Sequence, residues 1–195
     1  ENLTLRDYGN SIIVPGMTDL HLHAPQYTFR GIGMDLELLD WLTTHTFPEE
    51  ARYADLDYTK KAYSYFSYDL KRGFTTRACV FATLHTAATI ELMDQLEDTG
   101  VITYVGKVNM DRNGGEGLQE KDAETSIADT IDWLDRIQGR YKNTRPILTP
   151  RFIPSCSDEL MRKIGVLSRE KQLMIQSHLS ENKSEIAWVK ELVPE

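Results

Sequence analysis

The chain has 195 residues, 41% hydrophobic and 27% charged, enough for one soluble globular unit with a substantial core. A formal net charge of -8 argues against nucleic-acid backbones and anionic membrane surfaces as partners, and no apolar run approaches the length of a membrane span. A small neutral substrate fits this balance better.

Residues 1–10 carry a short alternation, Leu3, Leu5 and Tyr8, read as the remnant of a preceding β region; the main unit runs over 11–195. The chain opens on Glu1 without an initiator Met or a basic-plus-apolar signal segment, so a piece of a longer polypeptide is expected. The apolar run from Ser11 to Leu20 predicts the first strand and leads into His21-Leu22-His23. Side chains at i and i+2 of a strand share a face, so His21 and His23 can hold one metal ion while Leu22 packs the other way. Imidazole suits zinc and other borderline metals, but two ligands do not close a site.

The segment from Ala24 to Asp57 is long for a connection and reads as a wall or lid of a pocket, with a short helix around Leu36 to Leu42 and a turn at Phe47-Pro48. Helical spacing follows at Ala62, Tyr63, Phe66 and Leu70 before Gly73, at Ile90, Met93 and Leu96 before Gly100, and at Ile127, Ile131, Leu134 and Ile137 before Gly139. Between and after these lie strand candidates at Thr75–Ala82, Val101–Val108, Pro146–Phe152 and Leu173–His178. Ser157 caps a further helix carrying Leu160, Ile164 and Leu167, and Ser184 is expected to cap another carrying Ile186, Ala187 and Val189.

Strand-helix alternation at this spacing predicts a parallel α/β sheet. No Gly-x-Gly-x-x-Gly follows the first strand, which weakens a dinucleotide-binding fold. The strand at Leu173 ends in a third histidine with an acid after it, in Ser177-His178-Leu179-Ser180-Glu181. An acid beside a metal ligand can move protons to and from an activated water. Candidate site residues thus fall at the ends of the first, fourth and fifth strands, and a closed barrel brings such ends round one pocket. The expected fold is an incomplete TIM-type (β/α)8 barrel of the metal-dependent hydrolase kind, with about five of eight strand-helix units present and the rest beyond Glu195.

Val14-Pro15-Gly16-Met17-Thr18-Asp19-Leu20-His21-Leu22-His23 resembles the first-strand signature of the amidohydrolase superfamily. A longer set is similar to its guanine deaminase family: His23-Ala24-Pro25-Gln26-Tyr27, Trp41-Leu42 with Thr46-Phe47-Pro48, Val105-Gly106-Lys107-Val108, Thr149-Pro150-Arg151-Phe152 and Gln176-Ser177-His178-Leu179-Ser180-Glu181-Asn182. The resemblance runs from about Pro15 to the C-terminus. It implies a cytoplasmic enzyme converting guanine and water to xanthine and ammonia with one Zn2+ per subunit, and it allows a homodimer of the full-length protein.

By the same resemblance His21, His23 and His178 hold the metal, and Glu181 is the proton-shuttling catalytic acid. Gln26, Arg151 and Phe152 contact the purine, with His23, His178 and Glu181 also bordering it. A further histidine and a metal-binding aspartate are expected from later strands. Some superfamily members hold two metals through a modified lysine at the fourth strand's end; Leu148-Thr149-Pro150-Arg151-Phe152 has none, which favours a single metal.

Other readings stand beside these. Arg151 serves equally well as a salt-bridged strand-end residue, Phe152 as core and Gln26 as a solvated loop residue. His85 suits helix capping or support of the metal ligands better than ligation, and His45 lies in the lid without a nameable partner. Cys79 and Cys156 match no metal or redox spacing and read as free cytosolic thiols. The alternative functions are a deaminase or chlorohydrolase acting on another aminated heterocycle, and a catalytically silent barrel serving as a scaffold.

Overall fold

A computed structural model describes residues 3–194. Among the described residues six strand segments occur in chain order: β1 (Met17–His23), β2 (Thr75–Phe81), β3 (Ile102–Gly106), β4 (Val108–Asn109), β5 (Thr144–Pro146) and β6 (Thr149–Pro150). The helices are α1 (Leu38–Trp41), α2 (Phe47–Ala51), α3 (Leu56–Arg72), α4 (Thr86–Glu97), α5 (Ala123–Ile137), α6 (Asp158–Lys171) and α7 (Lys183–Leu192). Strands β1, β2, β3 and β5 pair in that order, all parallel, and β4 and β6 pair as the continuations of β3 and β5. Sequential order without reversal, with α3 packed on α4, α4 on α5 and α5 on α6, is the winding of a barrel wall; a doubly wound sheet would reverse its strand order. The molecule is an arc of a TIM-type barrel.

Local sequence explains the helices. Asp55 accepts from the N–H groups of Asp57 and Tyr58 at the start of α3, Asp122 from Thr125 at α5 and Ser157 from Leu160 at α6. The apolar faces of α3, α4 and α5 bury Tyr63, Phe66, Leu92, Met93, Leu96 and Trp133 against Val80 and Val105 of the sheet. Truncating a buried leucine of this kind to alanine costs about 2–5 kcal/mol. A second cluster of Leu42, Phe47, Phe81, Val108, Met110, Leu118 and Phe152 forms a floor at the C-terminal ends of the strands. Among the described residues no helix is long and apolar enough to cross a membrane.

Several boundaries depart from the periodic pattern. The first strand begins at Met17, not Ser11, because Pro15 has no N–H and the first bond to the neighbouring strand is Met17 N–H to the Phe74 carbonyl, 2.9 Å. Residues Leu3 to Gly16 form no strand, and Leu3, Leu5 and Tyr8 are exposed. The strand expected over Val101–Val108 breaks at Lys107, whose side chain is buried on Glu120, and Val108 N–H turns to the Thr83 carbonyl at 3.1 Å. The segment Leu173–His178 makes one bridge, Ile175 to Leu148, flanked by bonds between Leu148 N–H and Met174 O and between Gln176 N–H and Leu148 O.

Phe47-Pro48 is not a turn. It opens α2 in a continuous helical run whose middle, Leu42–Thr46, is a π turn with Phe47 N–H donating to Leu42 O. Pro48 cannot donate to the preceding turn, and the widened turn lies where that bond is missing. Nor does Ser184 cap the last helix. Asn182 does, its Oδ1 accepting from Glu185 N–H at 2.8 Å, while Ser184 lies within α7 and donates to the Glu37 carboxylate at 2.9 Å.

Candidate active site

Strand β1 ends in His21 and His23, whose ring centroids lie 5.0 Å apart, and His178 joins them at 4.9 Å from His21 and 5.0 Å from His23. One ring nitrogen from each falls within 4.8 Å of the others. Phe81, the last residue of β2 and the register partner of His23, lies against His23 and His178 with centroids 4.5 Å away and against His21 at 5.1 Å. Phe81 thus closes one side of the triad.

The hydrogen bonds define how these rings present themselves. His178 Nδ1 lies 2.7 Å from the main-chain carbonyl of Arg151, and a carbonyl only accepts, so Nδ1 carries the proton and Nε2 the lone pair. That Nε2 faces His23 Nε2 at 2.9 Å, and the buried Nδ1 of His23 has no partner among the described residues. Burial, followed by the positive charge of Arg151 and the neighbouring imidazoles, holds His23 well below the ordinary histidine pKa. Burial is also the main cause that brings His178 down to about 4, against the opposing bond to the Arg151 carbonyl. Both are therefore neutral near pH 7, the form in which imidazole binds metal. The donor set and the lone pair fixed on His178 fit a metal ion.

A cavity of about 410 Å³ opens over the triad, and Gln26, Arg151, Phe152 and Glu181 all border it. Arg151 is 2% exposed and makes a two-pronged ion pair with Glu50, Nη1 to Oε2 at 2.6 Å and Nη2 to Oε1 at 3.1 Å. Its guanidinium lies 5.2 Å from the centroid of Phe47, and Nη1 is 3.8 Å from the Met110 sulfur. The residue is thus both a buried ion-paired group and part of the cavity wall. Phe152 is buried and meets Trp188 of α7 edge-on at 6.4 Å.

Glu181 is exposed to the cavity, and its backbone is held by the next helix. Buried Glu185 accepts from the N–H groups of Ser180 and Glu181, at 3.2 and 2.5 Å, while Ser180 takes a left-handed φ of 55°. The long connection after β1 supplies the opposite wall through Arg30, Met34, Trp41 and Leu42. Trp41 Nε1–H donates to the Ile32 carbonyl at 3.0 Å. Gly33, at φ +70°, packs so closely that an added Cβ would come within 2.6 Å of His45.

The remaining sequence candidates lie apart. His85 occupies the N-cap position of α4, yet its side chain makes no capping bond, and it stands outside the triad. His45 sits in the π turn with its ring stacked on Phe29 at 6.5 Å. Cys79 and Cys156 are free, and burial pushes the Cys156 thiol up to about 11. Glu50, Phe81 and Trp188 escaped sequence reasoning. A carboxylate in Pro48-Glu49-Glu50 reads as helix surface, and only packing reveals which of the two turns inward.

The model of the amidohydrolase family matches residues 12–195. The chain belongs to the amidohydrolase family. Among its relatives in that family, it is 45% identical over 195 residues to the guanine deaminase of Dictyostelium discoideum, covering 100% of this chain and 43% of that protein. It is 40% identical over 186 residues to the human guanine deaminase, covering 95% and 41%. The amidohydrolase fold also superimposes on the crystal structure of guanine deaminase from C. acetobutylicum with bound guanine in the active site. There the TM-score is 0.91 and the identity 52%, over 95% of this chain and 44% of that one. The chain therefore spans less than half the length of these relatives.

Proposed function

We propose that the full-length protein hydrolyses guanine to xanthine and ammonia, with one zinc ion held by His21, His23 and His178 together with ligands outside this chain. The observation that carries this reading is the meeting of the histidine triad, Glu181 and the Arg151 fork around one cavity in a chain so similar to guanine deaminases. Three imidazoles suit catalytic zinc, and the absence of a lysine in Thr149-Pro150-Arg151-Phe152 supports a single ion. A bound zinc supplies Lewis acidity that makes water a nucleophile near neutral pH.

The chain's own groups then have distinct tasks. Arg151 and Gln26 donate to the carbonyl edge of the base, and Phe152 walls the ring. Glu181 takes one proton of the attacking water and delivers it to a ring nitrogen as the C2–O bond forms, then moves the remaining hydroxyl proton to the leaving amine as the C2–N bond breaks and the C2 carbonyl forms. Adenine presents an amino group where guanine has its carbonyl, and a buried donor facing a donor costs about 1–3 kcal/mol. Two free thiols, Cys79 and Cys156, support a cytoplasmic setting.

The test is ammonia release by the metal-loaded full-length protein from guanine, adenine, cytosine and a triazine under equal conditions, with metal analysis alongside. Guanine as best substrate and one zinc per subunit are expected. Preference for another base overturns the substrate, and two ions or none overturns the metal site.

A further inference from the structure

We propose that Glu50 sets the charge selectivity of the cavity, cancelling the charge of Arg151 so that a neutral purine is held and an anionic one is not. The inference rests on the guanine reading and adds a positioning residue to it.

Arg151 is the buried cation bordering the cavity, and Glu50, 1% exposed, is the carboxylate that touches it. The pair is joined end to end through both Nη atoms, so the Nε–H edge and further Nη hydrogens stay free of Glu50. The fork therefore keeps donors for a carbonyl while its net charge is offset a hydrogen bond away. Without Glu50 a desolvated guanidinium would face the cavity alone, and such a charge draws anions strongly where water is excluded. Arg30 at the mouth is exposed, with its guanidinium 3.9 Å above the Tyr27 ring, so solvent screens it.

This matters for turnover. Replacing the amino group of guanine with a second carbonyl gives a more acidic ring, which ionises more readily near neutral pH. A cavity tuned to neutral carbonyl acceptors holds the substrate and lets the ionised product leave. Glu49, the adjacent acid, is occupied elsewhere, accepting from Thr28, Arg52 and Tyr58, so the two carboxylates are not interchangeable.

The experiment uses metal-loaded full-length protein at neutral pH and measures direct calorimetric binding of urate, a monoanion there, and of hypoxanthine, a neutral base with the same carbonyl. In Glu50→Gln, which keeps shape and one acceptor, the affinity ratio should move toward urate by roughly tenfold or more at unchanged metal content. Glu50→Asp should keep the wild-type ratio. A ratio unchanged in Glu50→Gln, with both ligands weakened equally, makes Glu50 a merely structural partner and overturns the proposal. Should Glu50→Gln fail to fold, the wild-type protein decides: urate binding at least tenfold tighter than hypoxanthine overturns it, and the reverse order supports it. Binding of neither purine by wild-type protein would sink the guanine reading itself, a result distinct from an unaltered ratio.

Discussion

His178 donates its Nδ1–H to the main-chain carbonyl of Arg151 across 2.7 Å, so the residue that walls the cavity with its side chain also fixes the tautomer of a triad histidine with its backbone. The main-chain N–H of His178 reaches the same oxygen at 3.0 Å. Side-chain and backbone roles at position 151 are therefore separable.

Arg151→Met should keep the metal, because the carbonyl remains, while guanine turnover falls by about tenfold to a hundredfold. It should also cost roughly 3–5 kcal/mol of stability by leaving Glu50 buried without its partner. The double variant Glu50→Leu/Arg151→Met should regain most of that stability without regaining turnover. Denaturant unfolding and metal analysis of the full-length variants check this; metal lost in step with turnover would contradict it.

Glu181→Gln preserves shape and removes the carboxylate proposed to shuttle protons. Turnover should drop by about 10²-fold or more with metal content unchanged. Near-normal turnover in a metal-replete variant removes Glu181 from the chemistry.

Gly106, at the end of β3, leaves no room for a side chain: an added Cβ would lie 1.7 Å from Thr149 Oγ1 and 2.7 Å from the Ile147 carbonyl. Gly106→Ala should destabilise by about 1–3 kcal/mol or more, since β3 and the β5–β6 segment must part to admit a methyl group. A thermal midpoint within error of the wild type would show that the strands approach less closely.

Glu97, at the end of α4, accepts from the backbone N–H groups of Lys142, Asn143 and Thr144 at 2.9–3.2 Å and pins the entry to β5. Burial raises its pKa, but these bonds outweigh it and hold the carboxyl below its ordinary value. A lowered folded pKa means the stabilisation is complete above the unfolded pKa, about 4.3, and is lost as the pH falls through the folded value. The stability gap between wild type and Glu97→Gln should therefore be widest near pH 6 and close toward pH 3. A gap independent of pH would show that the charge contributes nothing.

Sequence alone determined what depends on near neighbours. The i, i+2 spacing of His21 and His23, the apolar faces of α3, α4 and α5, the Ser157 cap and the alternation that makes a barrel arc all follow from periods of a few residues. Where two neighbours offer the same local chemistry, that reasoning fails: Asn182 and Ser184 both make good caps, and the winner is set by Glu185 folding back on Ser180 and Glu181. Pro48 signalled a turn by its missing N–H, yet the floor cluster under Leu42 and Phe47 keeps the chain helical through a π turn. Strand-end placement and the family resemblance already brought His178 to His23, 155 residues away, whereas tertiary structure alone decided that Glu50 meets Arg151 across 101 residues of chain. Burial against distant segments chooses which carboxylate turns inward and which imidazole nitrogen keeps its lone pair, and no local period carries that information.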